Sequence, residues 1–136
     1  PLTPTGKVPV EVALSSSYLD PHVGQRVMFY LSATFLNDVD KVELRIKDQD
    51  EIRLAGCKKV FHDIKVGETI HVNCQGTIQV AGPLEVVGSV HFFPYASGLS
   101  RAAVTYLNKP LEEKCSTEFD IIEGSGEEII RVYDGG

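Results

Sequence analysis

Apolar residues recur at every second position through most of this chain. Val8, Val10, Val12 and Leu14 alternate with Pro9, Glu11 and Ala13, the period of a strand with one face inward. After the turn residues Asp20, Pro21 and Gly24, the chain enters Val27, Phe29, Leu31, Ala33 and Phe35, with Met28, Tyr30, Ser32 and Thr34 on the other side. Val42 to Lys47 sets three aliphatics against three charges, which predicts a half-buried strand. Ile52 to Leu54 predicts a short strand before Gly56. Val60 to Ile64 and Thr69 to Val80 flank Val66, Gly67 and Glu68, which predicts a hairpin with Gly67 at positive φ. Leu84 to Phe92 alternates again after Gly82 and Pro83, and Thr117, Phe119 and Ile121 form the last clear alternation.

No window of 12 or more residues has apolar spacing of three and four, and β-branched residues dominate the periodic stretches. The expected fold is all-β, an antiparallel sandwich of about seven or eight strands. Within 96–114, Arg101 to Leu107 reads either as its own strand or as the start of the final one. Residues 1–7 read as an extended lead-in and 8–123 as the sandwich. Residues 124–136 read as an acidic linker or a short extra strand through Ile129, Ile130 and Val132. A start at Pro1 without the pattern of a signal peptide reads as a chain cut from a longer one.

Composition narrows the setting. The chain has 136 residues, with 13 basic and 19 acidic side chains and a net charge of −6, the size of one domain. Eight of the acids fall in 110–136 against two bases, so the body before residue 110 is neutral. Without a Lys/Arg cluster, a nucleic-acid partner is not expected. No apolar run approaches the ~20 residues of a membrane helix, so membrane insertion is not expected either.

Two phrases resemble those of immunoglobulin-like modules in prokaryotic surface proteins, of the cell-adhesion-related type. Pro21, Gly24 and Val27 resemble that type's Pro-x-x-x-Gly-x-x-Val phrase before its second strand, with the proline shifted. Ile64, Gly67, Glu68 and Val72 resemble its Leu-x-x-Gly-Glu-x-x-x-Val phrase. Gly82, Pro83 and the strand after them fit its penultimate strand. The resemblance covers roughly residues 8 to 123 and implies an immunoglobulin-like sandwich acting as a spacer, adhesion or accessory module, with no catalytic residue carried over. The tryptophan that accompanies the antibody-type disulfide is missing, since the chain has none.

Chemistry-bearing residues are scattered. Cys57, Cys74 and Cys115 include no C-x-x-C pair, which leaves a zinc knuckle unsupported. A Cys57–Cys74 bridge would contribute ~3 kcal/mol in the chain-entropy picture. However, a hairpin turning at Gly67 would put Cys74 opposite about residue 60, which favours Cys74 as a small core residue. His71 and His91 occupy the polar register of strands read as neighbours, so a shared site there is the one histidine pairing to test. Asp38 and Asp40, and separately Asp48, Asp50 and Glu51, supply the oxygen ligands calcium prefers. The strand between them holds the two groups about 20 Å apart at ~3.3 Å per residue, and Asx-turn hydrogen bonding is the simpler use of such residues. No Gly-x-Ser-x-Gly elbow, Gly-rich phosphate loop or His-Glu-x-x-His occurs. Phe93, Tyr95 and Tyr106 are the candidate aromatic binding patch.

The expectation is therefore a non-catalytic spacer or protein-interaction module of a larger extracytoplasmic protein, without a cofactor. Its partners would be neighbouring domains of the same chain or another protein. The alternative is an accessory carbohydrate- or ligand-binding domain attached to an enzyme. A metal-dependent enzyme would require His71 and His91 to converge with a carboxylate.

Overall fold

A computed structural model describes residues 9–93, 99–108, 117–123 and 129–133. Among them are ten strands and no helix: β1 (Val10–Ser16), β2 (Arg26–Phe35), β3 (Val39–Ile46), β4 (Ile52–Ala55), β5 (Lys58–Ile64), β6 (Thr69–Ile78), β7 (Leu84–Phe92), β8 (Leu99–Leu107), β9 (Thr117–Glu123) and β10 (Ile129–Tyr133). They form two antiparallel sheets, ordered β1-β2-β6-β4 and β10-β9-β8-β7-β3-β5. The all-β, two-sheet sandwich expected from the alternation is what the chain adopts.

The inward register follows the sequence pattern. Val10, Val12 and Leu14 of β1, the odd residues Val27 to Phe35 of β2, and Ile70, Val72, Cys74 and Ile78 of β6 are buried against Val42, Leu44 and Ile46 of β3 and Leu84, Val86, Val90 and Phe92 of β7. Fully burying a side chain such as Leu31 or Phe29 contributes about 1.5–3 kcal/mol. Phe35 and Phe92 meet edge to face at 6.1 Å and close one end of this core.

Three local readings are resolved or corrected. Arg101 to Leu107 belongs to a strand of its own, β8, which pairs with both β7 and β9. Ile129–Tyr133 forms β10 against β9; the lead-in at 1–7 lies outside the described residues, as do 124–128 and 134–136. The predicted hairpin of β5 and β6 does not form, because β5 pairs with β3 in one sheet while β6 pairs with β2 and β4 in the other. Gly67 does take a positive φ of 85°, but its turn arches between the sheets. Gly67 N–H donates to Phe35 O, Phe35 N–H to Glu68 O, and Val66 N–H to an Asp38 carboxylate oxygen. β6 spends both its edges on other partners, and the four-residue arch Lys65 to Glu68 satisfies the same turn chemistry as a hairpin loop.

This arch removes the objection to a disulfide. Cys57 and Cys74 are bonded, with Cα atoms 5.2 Å apart; Cys74 is buried in the core as expected, but as one half of a disulfide. Ile46 N–H of β3 donates to Cys57 O at 2.9 Å, which seats Cys57 against the larger sheet, and Cys74 lies on β6 of the smaller one. The bond therefore ties the two layers together beside the β4–β5 crossing.

Candidate functional site

The outer face of the smaller sheet behaves as alternation predicts: Glu11, Ala13, Tyr30, His71, Asn73 and Gln75 are exposed. The outer face of the larger sheet does not. Val87, Ala102 and Val104 are buried there in a second apolar cluster with Tyr106, and Glu43, Ser89 and Ser100 are buried beside it. Alternation identifies which residues share this face but carries no information about how much of it is covered.

Its centre is a four-residue lattice on β3 and β7. Glu43 stands opposite His91, and Arg45 opposite Ser89. Ser89 Oγ lies 2.7 Å from His91 Nε2, and Arg45 approaches Glu43 at 3.5 Å. The His91 pKa is lowered from 6.5 to about 4, by burial first and then by the Arg45 charge, with Glu43 opposing both. The imidazole is thus neutral at physiological pH. Hydroxyl, imidazole and carboxylate meet here, yet Ser89 is only 6% exposed and lies within a strand paired on both sides. The peptide N–H groups of β7 serve the ladders to β3 and β8. The lattice satisfies buried polar groups.

Toward the β5 edge the same face turns cationic. Lys58 stands opposite Arg45, Val60 opposite Glu43, and His62 opposite Lys41. Arg45, Lys58 and His62 are exposed and Lys41 is half-buried. Lys41 Nζ sits 4.3 Å from the Phe93 ring centre, so an aromatic face holds one of these cations; Lys59, opposite Leu44, is on the inward register, with its Nζ 5.1 Å from the Phe61 ring centre. This strip was not anticipated from the sequence. The charges of Val42–Lys47 and of Lys58–Lys59 are visible there, but only the β3–β5 pairing brings them side by side.

The sequence-derived candidates are dispersed. Asp38 accepts the Val66 N–H at 2.8 Å, the turn-stabilising use. Asp40 lies on β3, while Asp48, Asp50 and Glu51 are exposed in the connection from β3 to β4, beyond the other end of that strand. Among the described residues no three His, Cys, Asp or Glu side chains gather as a metal site. His71 and His91 are not on neighbouring strands: β6 belongs to the smaller sheet and β7 to the larger, so the two do not form the shared site expected of them. Phe93 follows the end of β7, whereas Tyr106 pairs with Glu85 near its start, about 26 Å away at ~3.3 Å per residue. These two form no common platform, and Tyr95 lies outside the described residues. An open cleft of about 410 Å³ lies between Lys47, Gln49, Glu51 and the 80–87 segment; Gln49 Nε2 donates there to Glu85 O at 2.9 Å.

No helix among the described residues is long and apolar enough to cross a membrane. Compared with known protein families, curated proteins and solved structures, the chain matches none.

Proposed function

We propose that this chain is an immunoglobulin-like module of a larger extracytoplasmic protein, acting as a non-catalytic spacer and protein-interaction element. The observation that carries the reading is the direction of its strands. β1 starts at the end of the sandwich closed by Phe35 and Phe92, and the antiparallel pairings make the last strand, β10, run toward the opposite end. A chain that enters one end of a rigid body and heads for the other spaces its neighbours along a line.

Two further features support it. Lettering β1, β2, β3, β4, β6, β7 and β8 as A to G gives neighbour orders A-B-E-D and G-F-C, the arrangement of immunoglobulin-like sandwiches, with β5 added beside C and β9–β10 beside G. The Cys57–Cys74 bond suits an oxidising compartment, where such bonds persist. Its place differs from the B–F bridge of antibody domains.

Small-angle scattering of the parent protein with and without this module tests the proposal. Ten-residue strands predict a maximum dimension shorter by about 30 Å on deletion, at ~3.3 Å per residue. An unchanged dimension would sink the spacer reading.

A further inference from the structure

We infer that the open edge of β5 is a docking site for an extended acidic peptide, which adds to the larger sheet as a further strand. The inference rests on the reading of the chain as an interaction module and names both the surface and its partner's chemistry.

The edge is a backbone site. Among the described residues β5 pairs with β3 on one side only and ends the sheet on the other. The bond from Ile46 N–H to Cys57 O sets the phase of the ladder. Residues 57, 59 and 61 turn their peptide groups toward β3, so Lys58, Val60 and His62 turn theirs outward. Three residues in a row of alternate positions thus offer N–H and C=O groups to an incoming strand, which is how strand addition gains affinity. The regular stretch stops at Asp63, whose φ of 53° breaks it, and Ile64 returns to the core. The site is therefore five residues long, Lys58 to His62. The opposite edge of the smaller sheet, β4, has only four residues, and β1 carries Glu11 as its one charged side chain.

The side chains beside that edge select charge. Lys58 and His62 share the outer face with Arg45 and Lys41, around an exposed Val60. The acid among them, Glu43, is buried and paired by Arg45. Asp40 and Asp63 adjoin the Lys41–His62 pair in sequence, so the cationic part of the edge is centred on Arg45 and Lys58 at its other end. In a chain of net charge −6, this local excess of cations complements a strand whose alternate residues are acidic, with small apolar residues between them to meet Val60. The open peptide groups favour a polypeptide over a polyanion that has none to pair.

The test uses an end-capped peptide of about ten residues alternating glutamate with valine and threonine, titrated into the whole chain by calorimetry. Saturable binding is expected, weakening about fivefold or more as salt rises from about 50 to about 300 mM. Val60→Pro removes an outward N–H that no β3 residue uses, so it should weaken binding about tenfold while leaving the melting temperature near that of the parent. Lys41→Glu with Lys58→Glu should do the same by charge. A peptide with proline at alternate positions should not bind the unmodified chain, a control that needs no variant. Absence of binding overturns the inference. So does binding that ignores Val60→Pro and is matched by a heparin-derived oligosaccharide, which would make the strip a general polyanion surface. Neither result alters the length of the parent protein, so the spacer reading is judged separately.

Discussion

Gly88 of β7 lies so close beneath Leu31 of β2 that a Cβ on Gly88 would stand 2.8 Å from Leu31 Cδ1 and 3.4 Å from Leu14 Cδ2. The two layers touch there through a missing side chain. Gly76 of β6 is tighter still: its Cβ would meet Ile52 Cγ2 at 2.7 Å and Phe29 Cε2 at 2.8 Å. The Leu31 and Leu14 methyls end flexible side chains and can give way, whereas an aromatic ring and a β-branched methyl cannot do so readily. Gly88→Ala should therefore destabilise by about 1 kcal/mol and Gly76→Ala by about 2–3 kcal/mol. Urea midpoints of the two variants measure the difference, and the reverse order would contradict this packing.

The Cys57–Cys74 bond closes a loop with a sequence separation of 17, for which the chain-entropy picture gives about 3 kcal/mol. Reduction, or Cys57→Ser with Cys74→Ser, should lower the melting temperature by that measure while keeping the β-type circular dichroism. In unreduced, denatured protein no more than one of the three thiols should react. Three reactive thiols would refute the bond.

His91 makes stability depend on pH in a defined direction. Its pKa falls from 6.5 to about 4 on folding because burial, then Arg45, disfavours the charged ring. Above pH 6.5 the ring is neutral in both states and the native chain bears no penalty. Between 6.5 and 4 the unfolded chain takes up a proton that the native chain refuses, so stability is lost as pH falls through this window. Subtracting the profile of His91→Gln from that of the native sequence removes the carboxylates' shared contribution. The difference should slope between pH 6.5 and 4 and be flat above; parallel profiles would rule the effect out.

Asn108, at a φ of 58°, pins the loops at the end of the sandwich away from Phe35. Its side-chain amide donates to Pro21 O at 3.1 Å and Gly82 O at 3.2 Å, and its peptide N–H to Leu19 O at 2.8 Å. Asn108→Ala should cost about 1–3 kcal/mol by orphaning those carbonyls. Asn108→Asp should cost more, since a carboxylate there faces two carbonyl oxygens with no proton to offer. Thermal melts of both variants check the order.

Alternation along the chain was sufficient to determine the all-β class and the inward residues of β1, β2, β3, β6 and β7, and the turn residues Val66 to Glu68 pointed to the positive φ at Gly67. Side-chain direction in a strand is a local property with a period of two, and a single sequence records it. Which strands become neighbours is not local. The turn at Val66 to Glu68 has the same residues whether it closes a hairpin or arches between layers, so only the assembled sheets separated β5 from β6. That separation brought Cys57 to Cys74 and set Lys41 and Arg45 beside Lys58 and His62, and the placement of β6 and β7 in different sheets parted His71 from His91. The buried Glu43 and Ser89 make the same point: they hold positions that alternation assigns to an outer face, and the depth of that face is decided by residues distant in sequence packing around it.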